Sequence, residues 1–213
     1  MLVGGSFGGL LLRSYCRRFP AKVAGVVILD AADEAKYFPT MRRMLAVHEA
    51  ELRREADRAE RGEIWAEAGP AISAARGLDD MTKAAMKHVL GLRSHFEAAL
   101  DELQAASRAT PEETASGEPG SLGDRPMIVL SAGRSAQDPA WTEGWADAQA
   151  RLAALSRRGV HLVAENNGHS LALENPKLVA AAIEAVIRAA RGDRFDVSEV
   201  RRLASARRQK SPP

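Results

Sequence analysis

Two kinds of hydrophobic pattern alternate along the chain. Short, unbroken aliphatic runs occur at Met1 to Gly4, Val23 to Leu29 (VAGVVIL), Met127 to Ser131 (MIVLS) and Val160 to Ala164. Such runs predict strands buried on both faces, as in a parallel sheet. Between them, apolar residues recur every three or four positions, which predicts amphipathic helices. Leu10 to Phe19 reads as one helix, with Leu11, Tyr15 and Phe19 on a stripe, Leu12 and Cys16 widening it and Pro20 stopping it. Trp141, Trp145, Ala148, Leu152 and Leu155 mark another, closed by Gly159. Val179, Ile183, Val186 and Ile187 mark the last, with Asn175 as its cap and Pro176 in its first turn. The first thirty residues therefore read as strand, tight turn, helix, strand, a right-handed crossover unit. Strands alternating with helices predict an α/β fold with a parallel sheet.

The middle of the chain breaks this rhythm. Asp33 to Gly123 is rich in Ala, Glu, Arg and Met. Met41, Met44, Leu45, His48 and Leu52 form one helical stripe, and Ala85, Val89, Leu92, Phe96 and Leu103 a second, with Gly69-Pro70 and Gly77 as punctuation. Thr110 to Asp124 reads as a loop. The pattern predicts a core of residues 1–32 and 124–193, an inserted helical cap over 33–123, and a basic, flexible tail over 194–213 ending in Ser211-Pro212-Pro213. The apolar positions Met41, Met44, Leu45, Met81, Met86, Val89 and Phe96 are expected to shape a pocket for a small apolar molecule.

Composition narrows the function classes. The 213 residues are 46% hydrophobic and 27% charged, with a net charge of +2. That balance gives no reason to expect nucleic acid as a partner. No apolar run is long enough to span a bilayer, so no membrane is expected. Cys16 is the only cysteine, which excludes an internal disulfide and fits a cytoplasmic setting.

The sharpest chemistry lies at the start. Gly4-Gly5-Ser6-Phe7-Gly8 fits G-x-S-x-G and stands between a strand and a helix. A sharp strand-to-helix turn exposes the serine at a helix N-terminus, with glycines two before and two after leaving room. The Phe7 amide is then placed to stabilise an oxyanion. The stretch LVGGSFGGLLLRSYCRRFPAKVAGVVILDAA resembles the nucleophile elbow, helix and next strand of the α/β-hydrolase superfamily. RPMIVLSAG and HLVAENNGHSLALENPKLVAAAI resemble its last two strands and its histidine loop. The resemblance implies a partial α/β-hydrolase sheet, from the elbow strand onward, with the helical cap inserted. It implies a serine hydrolase acting on an ester or related acyl bond of a small apolar substrate, with no cofactor and no metal.

A serine needs a base. His169 follows the last strand in the loop Asn166-Asn167-Gly168-His169, where Gly168 lets the backbone turn. His48, His88 and His95 fall in the helical insertion and His161 in a strand. No pair of histidines has metal-ligand spacing. The acid that orients the base lies between serine and histidine in such chains, at the carboxyl end of a strand. Asp30 and Asp138 both qualify. Asp30 sits directly on its strand and is the favoured one; Asp138 follows a later strand by a loop. The resemblance further implies that the sequence is N-terminally truncated, lacking the loop that gives the second oxyanion donor and leaving the elbow strand as an edge. A noncatalytic fragment that requires a partner or a missing N-terminal half is the alternative.

Overall fold

The computed structural model describes residues 1–31, 33–74, 78–108, 117–134 and 144–206, with the side chains of 34–44 left aside. It divides into two compact units, Met1–Tyr37 with Thr110–Pro213, and Phe38–Ala109.

The first unit is built on a parallel sheet, as the hydrophobic runs predict. Its strands are β1 (Leu2–Gly5), β2 (Val26–Leu29), β3 (Met127–Ala132) and β4 (Gly159–Ala164), in the order β1-β2-β3-β4. Successive side chains of the central strands go to opposite faces. Val26, Ile28, Met127 and Val129 join Leu12, Cys16 and Leu152 on one face. Val27, Ile128 and Leu130 join Leu178, Ala182, Val186 and Val200 on the other. The first face is covered by α1 (Gly8–Arg18) and α6 (Trp145–Ala153). The second is covered by α8 (Pro176–Ala190) and α9 (Ser198–Ala204). Asn175 caps α8, its Oδ1 accepting from Leu178 N at 3.2 Å.

Several local expectations change. The apolar stripe of α1 divides: Leu11 is 58% exposed, and Tyr15 and Phe19 are exposed too. Gly9, Leu12, Arg13 and Cys16 form the buried face instead. Val3, in the edge strand β1, is also exposed. A short 3-10 turn, Pro20–Lys22, delays β2, which starts at Val26 rather than Val23. Gly159 does not cap a helix. It opens β4, where an added Cβ would lie 1.8 Å from the Ala153 carbonyl oxygen. The segment from 194 to 206 is not a free tail, since α9 buries Val200 and Ala204 against the second face. Residues 207–213 lie outside the described residues.

Arg125, just before β3, ties the loops below the sheet. Its guanidinium donates to the carbonyl oxygens of Val23, Leu122 and Pro20, each at 2.7 Å. Hydrogen bonds to a charged donor are strong, and removing it strands three acceptors. Arg125→Ala is expected to destabilise the fold by about 3 kcal/mol, read as a lower urea midpoint at unchanged slope.

The second unit is helical. It holds most of α2 (Glu34–Glu60), together with α3 (Glu63–Ala74), α4 (Asp80–Leu90) and α5 (Arg93–Arg108). Gly69-Pro70 lies inside α3 rather than between helices, and Gly77 lies outside the described residues. The second apolar stripe is split between α4 and α5 at Gly91. Arg93 holds α5 to α2 through Asp57 at 2.6 Å and Glu60 at 3.2 Å. Met81 is 77% exposed, and the side chains of Met41 and Met44 lie outside the described residues.

Candidate active site

The candidate residues gather where the strands end at their carboxyl edge, the usual binding edge of a parallel sheet. Gly5 pairs with Leu29 on the last rung between β1 and β2. Ser6 and Asp30 follow that rung side by side. Both have left-handed backbones, φ 51° and φ 43°. Non-glycine residues rarely take this conformation, and such strain tends to persist at functional sites. Each is pinned by a strand hydrogen bond: Ser6 N donates to Leu29 O at 3.0 Å, and Asp30 N to Leu130 O at 2.6 Å.

The space around the turn explains its small residues unevenly. A Cβ on Gly4 would meet the Gly8 carbonyl oxygen at 2.7 Å, and one on Gly9 the Ala31 Cβ at 2.3 Å. A Cβ on Gly8 would meet nothing within 4 Å. The second glycine of the motif is therefore not demanded by space, whereas Gly9 lets α1 approach the end of β2. Ser6 is exposed, and Phe7 is the N-cap residue of α1.

Asp30 and His169 meet directly. His169 Nδ1 lies 2.7 Å from Asp30 Oδ2. Asp30 is wholly buried, while the His169 side chain is 53% exposed. The other carboxylate oxygen, Oδ1, accepts from Ala132 N at 2.9 Å and from the Trp145 indole Nε1 at 2.8 Å. The hydrogen bond that Asp30 accepts from the ring, aided by the carboxylate's charge, raises the His169 pKa above the ordinary histidine value against the opposing effect of burial. Among the described residues the Ser6 hydroxyl makes no hydrogen bond to the ring. Asp138 lies outside the described residues.

The loop carrying His169 is held at its base. Gly168 N donates to Glu174 Oε2 at 3.0 Å, in the short helix α7 (Leu171–Glu174). A Cβ on Gly168 would lie 2.6 Å from Glu174 Oε1, so a side chain there would displace that carboxylate, while the backbone is not left-handed. Arg134 reaches across from the end of β3, its Nη2 donating to Asn166 O at 2.6 Å.

Other reactive groups play different parts. Ser131 Oγ and His161 Nε2 are 2.7 Å apart, but they lie within β3 and β4 and Ser131 is buried. Burial lowers the His161 pKa. Burial also pushes the Cys16 thiol up to about 11, which keeps it protonated and unreactive. His48, His88 and His95 sit on the helices of the second unit. Among the described residues no group of histidine, cysteine or carboxylate side chains has the geometry to hold a metal ion, and no helix is long and apolar enough to cross a membrane.

The residue that sequence reasoning missed is Trp145. Its place on an amphipathic stripe signals packing, and nothing in the stripe reveals an indole N–H directed at a carboxylate 115 positions earlier.

Comparison with known proteins adds three findings. A model of the alpha/beta hydrolase family matches residues 1–182. No curated protein matches the chain. Among solved structures, a thermophilic esterase from Thermogutta terrifontis, with malate bound, is similar at 20% identity and a TM-score of 0.47. That likeness covers 89% of this chain and 64% of the esterase, so the chain spans less than two thirds of that relative's length.

Proposed function

Since the chain belongs to the alpha/beta hydrolase family, we propose that it is a serine hydrolase of esters or related acyl bonds, with Ser6, His169 and Asp30 as its triad. The observation that carries this reading is the 2.7 Å contact between His169 Nδ1 and the buried Asp30, one strand away from a serine in left-handed geometry. Fold membership by itself does not fix a reaction; the site does.

In this reading Asp30 holds the imidazole with Nδ1 protonated, so Nε2 carries the free lone pair. Nε2 takes the Ser6 proton as Oγ bonds to the acyl carbon. The carbonyl electrons move to oxygen, and the Phe7 amide at the N-terminus of α1 stabilises that charge. The tetrahedral adduct collapses, His169 gives its proton to the leaving alcohol, and an acyl-serine remains. Water then repeats the sequence, with His169 as base, and frees the acid and Ser6. The proposed substrate is a small apolar ester, the class that the sequence resemblance implies.

A fluorophosphonate probe tests the reading. It should label the protein once, at Ser6, as shown by peptide mapping, and p-nitrophenyl butyrate should be hydrolysed. Labelling at another residue, or none in folded protein, would overturn it.

The pH dependence has two opposite signs. Catalysis needs neutral His169, so kcat/KM should rise with pH through a midpoint above the ordinary histidine value of about 6.5. Stability runs the other way. Because the folded pKa is raised, the ion pair contributes fully below the unfolded value and is lost as pH rises through the folded one. Half-exposure of the ring screens that contribution. A pH–rate profile with its acid limb below the ordinary histidine value would contradict this account.

A further inference from the structure

Asp30 is held by more than the histidine. While Oδ2 faces His169, two donors converge on Oδ1: the backbone N–H of Ala132 at 2.9 Å and the indole N–H of Trp145 at 2.8 Å. A carboxylate turns broadly about its last torsion when a single oxygen is held. Bonds to both oxygens fix its plane. Ala132 belongs to the neighbouring strand and comes with the sheet. Trp145 belongs to α6, and the chain must bring it there.

The fold does so deliberately along one helix. Gly144 precedes α6 in a left-handed conformation, φ 68°, and Trp145 is the first helical residue. Four positions later on the same face, Gln149 Nε2 donates to Ala31 O at 2.7 Å. Arg151 then pairs with Asp33 at 3.2 Å. Three side chains of α6 thus grip residues 30, 31 and 33, the segment that leaves β2. Gln149 is wholly buried, so its bond is not a passing surface contact.

Resting on the triad reading above, we infer that Trp145 is the positioning residue of the triad, locking the plane of the Asp30 carboxylate and taking up part of its charge. It touches neither substrate nor reacting atoms. Its effect passes through Asp30 to His169. Among the described residues, Asp30 is the charged group that acts on the His169 ring; Asp33 and Arg151, on the same two segments, pair with each other.

The direction of the effect follows from charge. With the indole donor gone, the Asp30 charge is offset less and favours the imidazolium more. The His169 pKa should therefore rise further above the ordinary histidine value. The looser carboxylate should lower kcat about 10-fold with little change in KM, because orientation is lost rather than binding.

The test compares the wild type with Trp145→Phe, following His169 by NMR titration and fluorophosphonate labelling against pH. If Trp145→Phe fails to fold, β-benzothienylalanine at position 145 keeps the ring shape and deletes only the N–H. The expected result is a higher His169 pKa, with the acid limb of labelling moving by the same amount. An unchanged His169 titration, with only a loss of thermal stability, would show that Trp145 merely packs and would overturn the inference. The two readings separate cleanly. The NMR titration needs no turnover and decides the role of Trp145, whereas failure of the wild type to label at Ser6 would remove the triad reading and leave the linkage from Trp145 to His169 standing.

Discussion

Replacing Ser6 by alanine is expected to lower kcat for an activated ester by about 10⁶-fold, with fluorophosphonate labelling abolished. In the proposed triad Ser6 supplies the atom that takes the acyl group, and neither His169 nor Asp30 can substitute for it. What remains is the stabilisation by oxyanion donors and binding. Stability should barely change, because alanine carries the same Cβ into the same left-handed backbone, φ 51°. Ser6→Gly makes a sharper comparison. It deletes the nucleophile equally but relieves the left-handed strain, which costs a side-chain residue about 1–2 kcal/mol. The glycine variant should therefore melt above the alanine variant while being equally inactive. If the alanine variant kept more than a few per cent of wild-type turnover, Ser6 would not be the nucleophile.

Asp30→Asn is expected to lower kcat by about 10⁴-fold. Asparagine keeps an oxygen for Ala132 and Trp145, so the fold around position 30 can persist. It presents an amide N–H, rather than an acceptor, to His169 Nδ1. The ring then takes the tautomer with its proton on Nε2, and Nε2 can no longer accept from Ser6. The raised His169 pKa should also fall, moving the acid limb of the rate profile down. Asp138→Asn, by contrast, should leave kcat within a few-fold of wild type. Steady-state kinetics on the pair of variants decides the acid, and the reverse ranking would move the triad to Asp138.

The strands were legible because the central ones have no solvent face: Val26 to Leu29 and Met127 to Ala132 need no alternation, and their composition shows it. The helix α1 was legible too, but not which side of it is buried. Two apolar stripes share its surface, and spacing cannot say which one meets the sheet. The burial of Gly9 and Arg13 decides in favour of Leu12 and Cys16. Small residues also misled. Gly159 looks like a helix cap but answers to a close carbonyl, and Gly69-Pro70 looks like a break but lies inside α3. At the candidate site, the turn around Ser6 and the loop around His169 are what single these two residues out in the sequence. The acid could not be fixed from sequence, since Asp30 and Asp138 both follow strands. The grip of Trp145 and Gln149 on residues 30 and 31 is a tertiary contact between segments more than a hundred residues apart, for which local pattern carries no signal.

The side-by-side placement of Ser6 and Asp30 has a consequence for how this chain can vary. Both groups are encoded before residue 31, within one crossover unit, and their spacing is set by adjacent strands. The helical unit Phe38–Ala109 is inserted after both. Its length and sequence can therefore drift, or be exchanged wholesale, without altering the distance between Ser6 and Asp30. A residue that follows β3, such as Asp138, would instead have the whole insertion between itself and Ser6. The insertion can thus be exchanged at its two ends as a single cassette while the pair in the opening segment keeps its spacing.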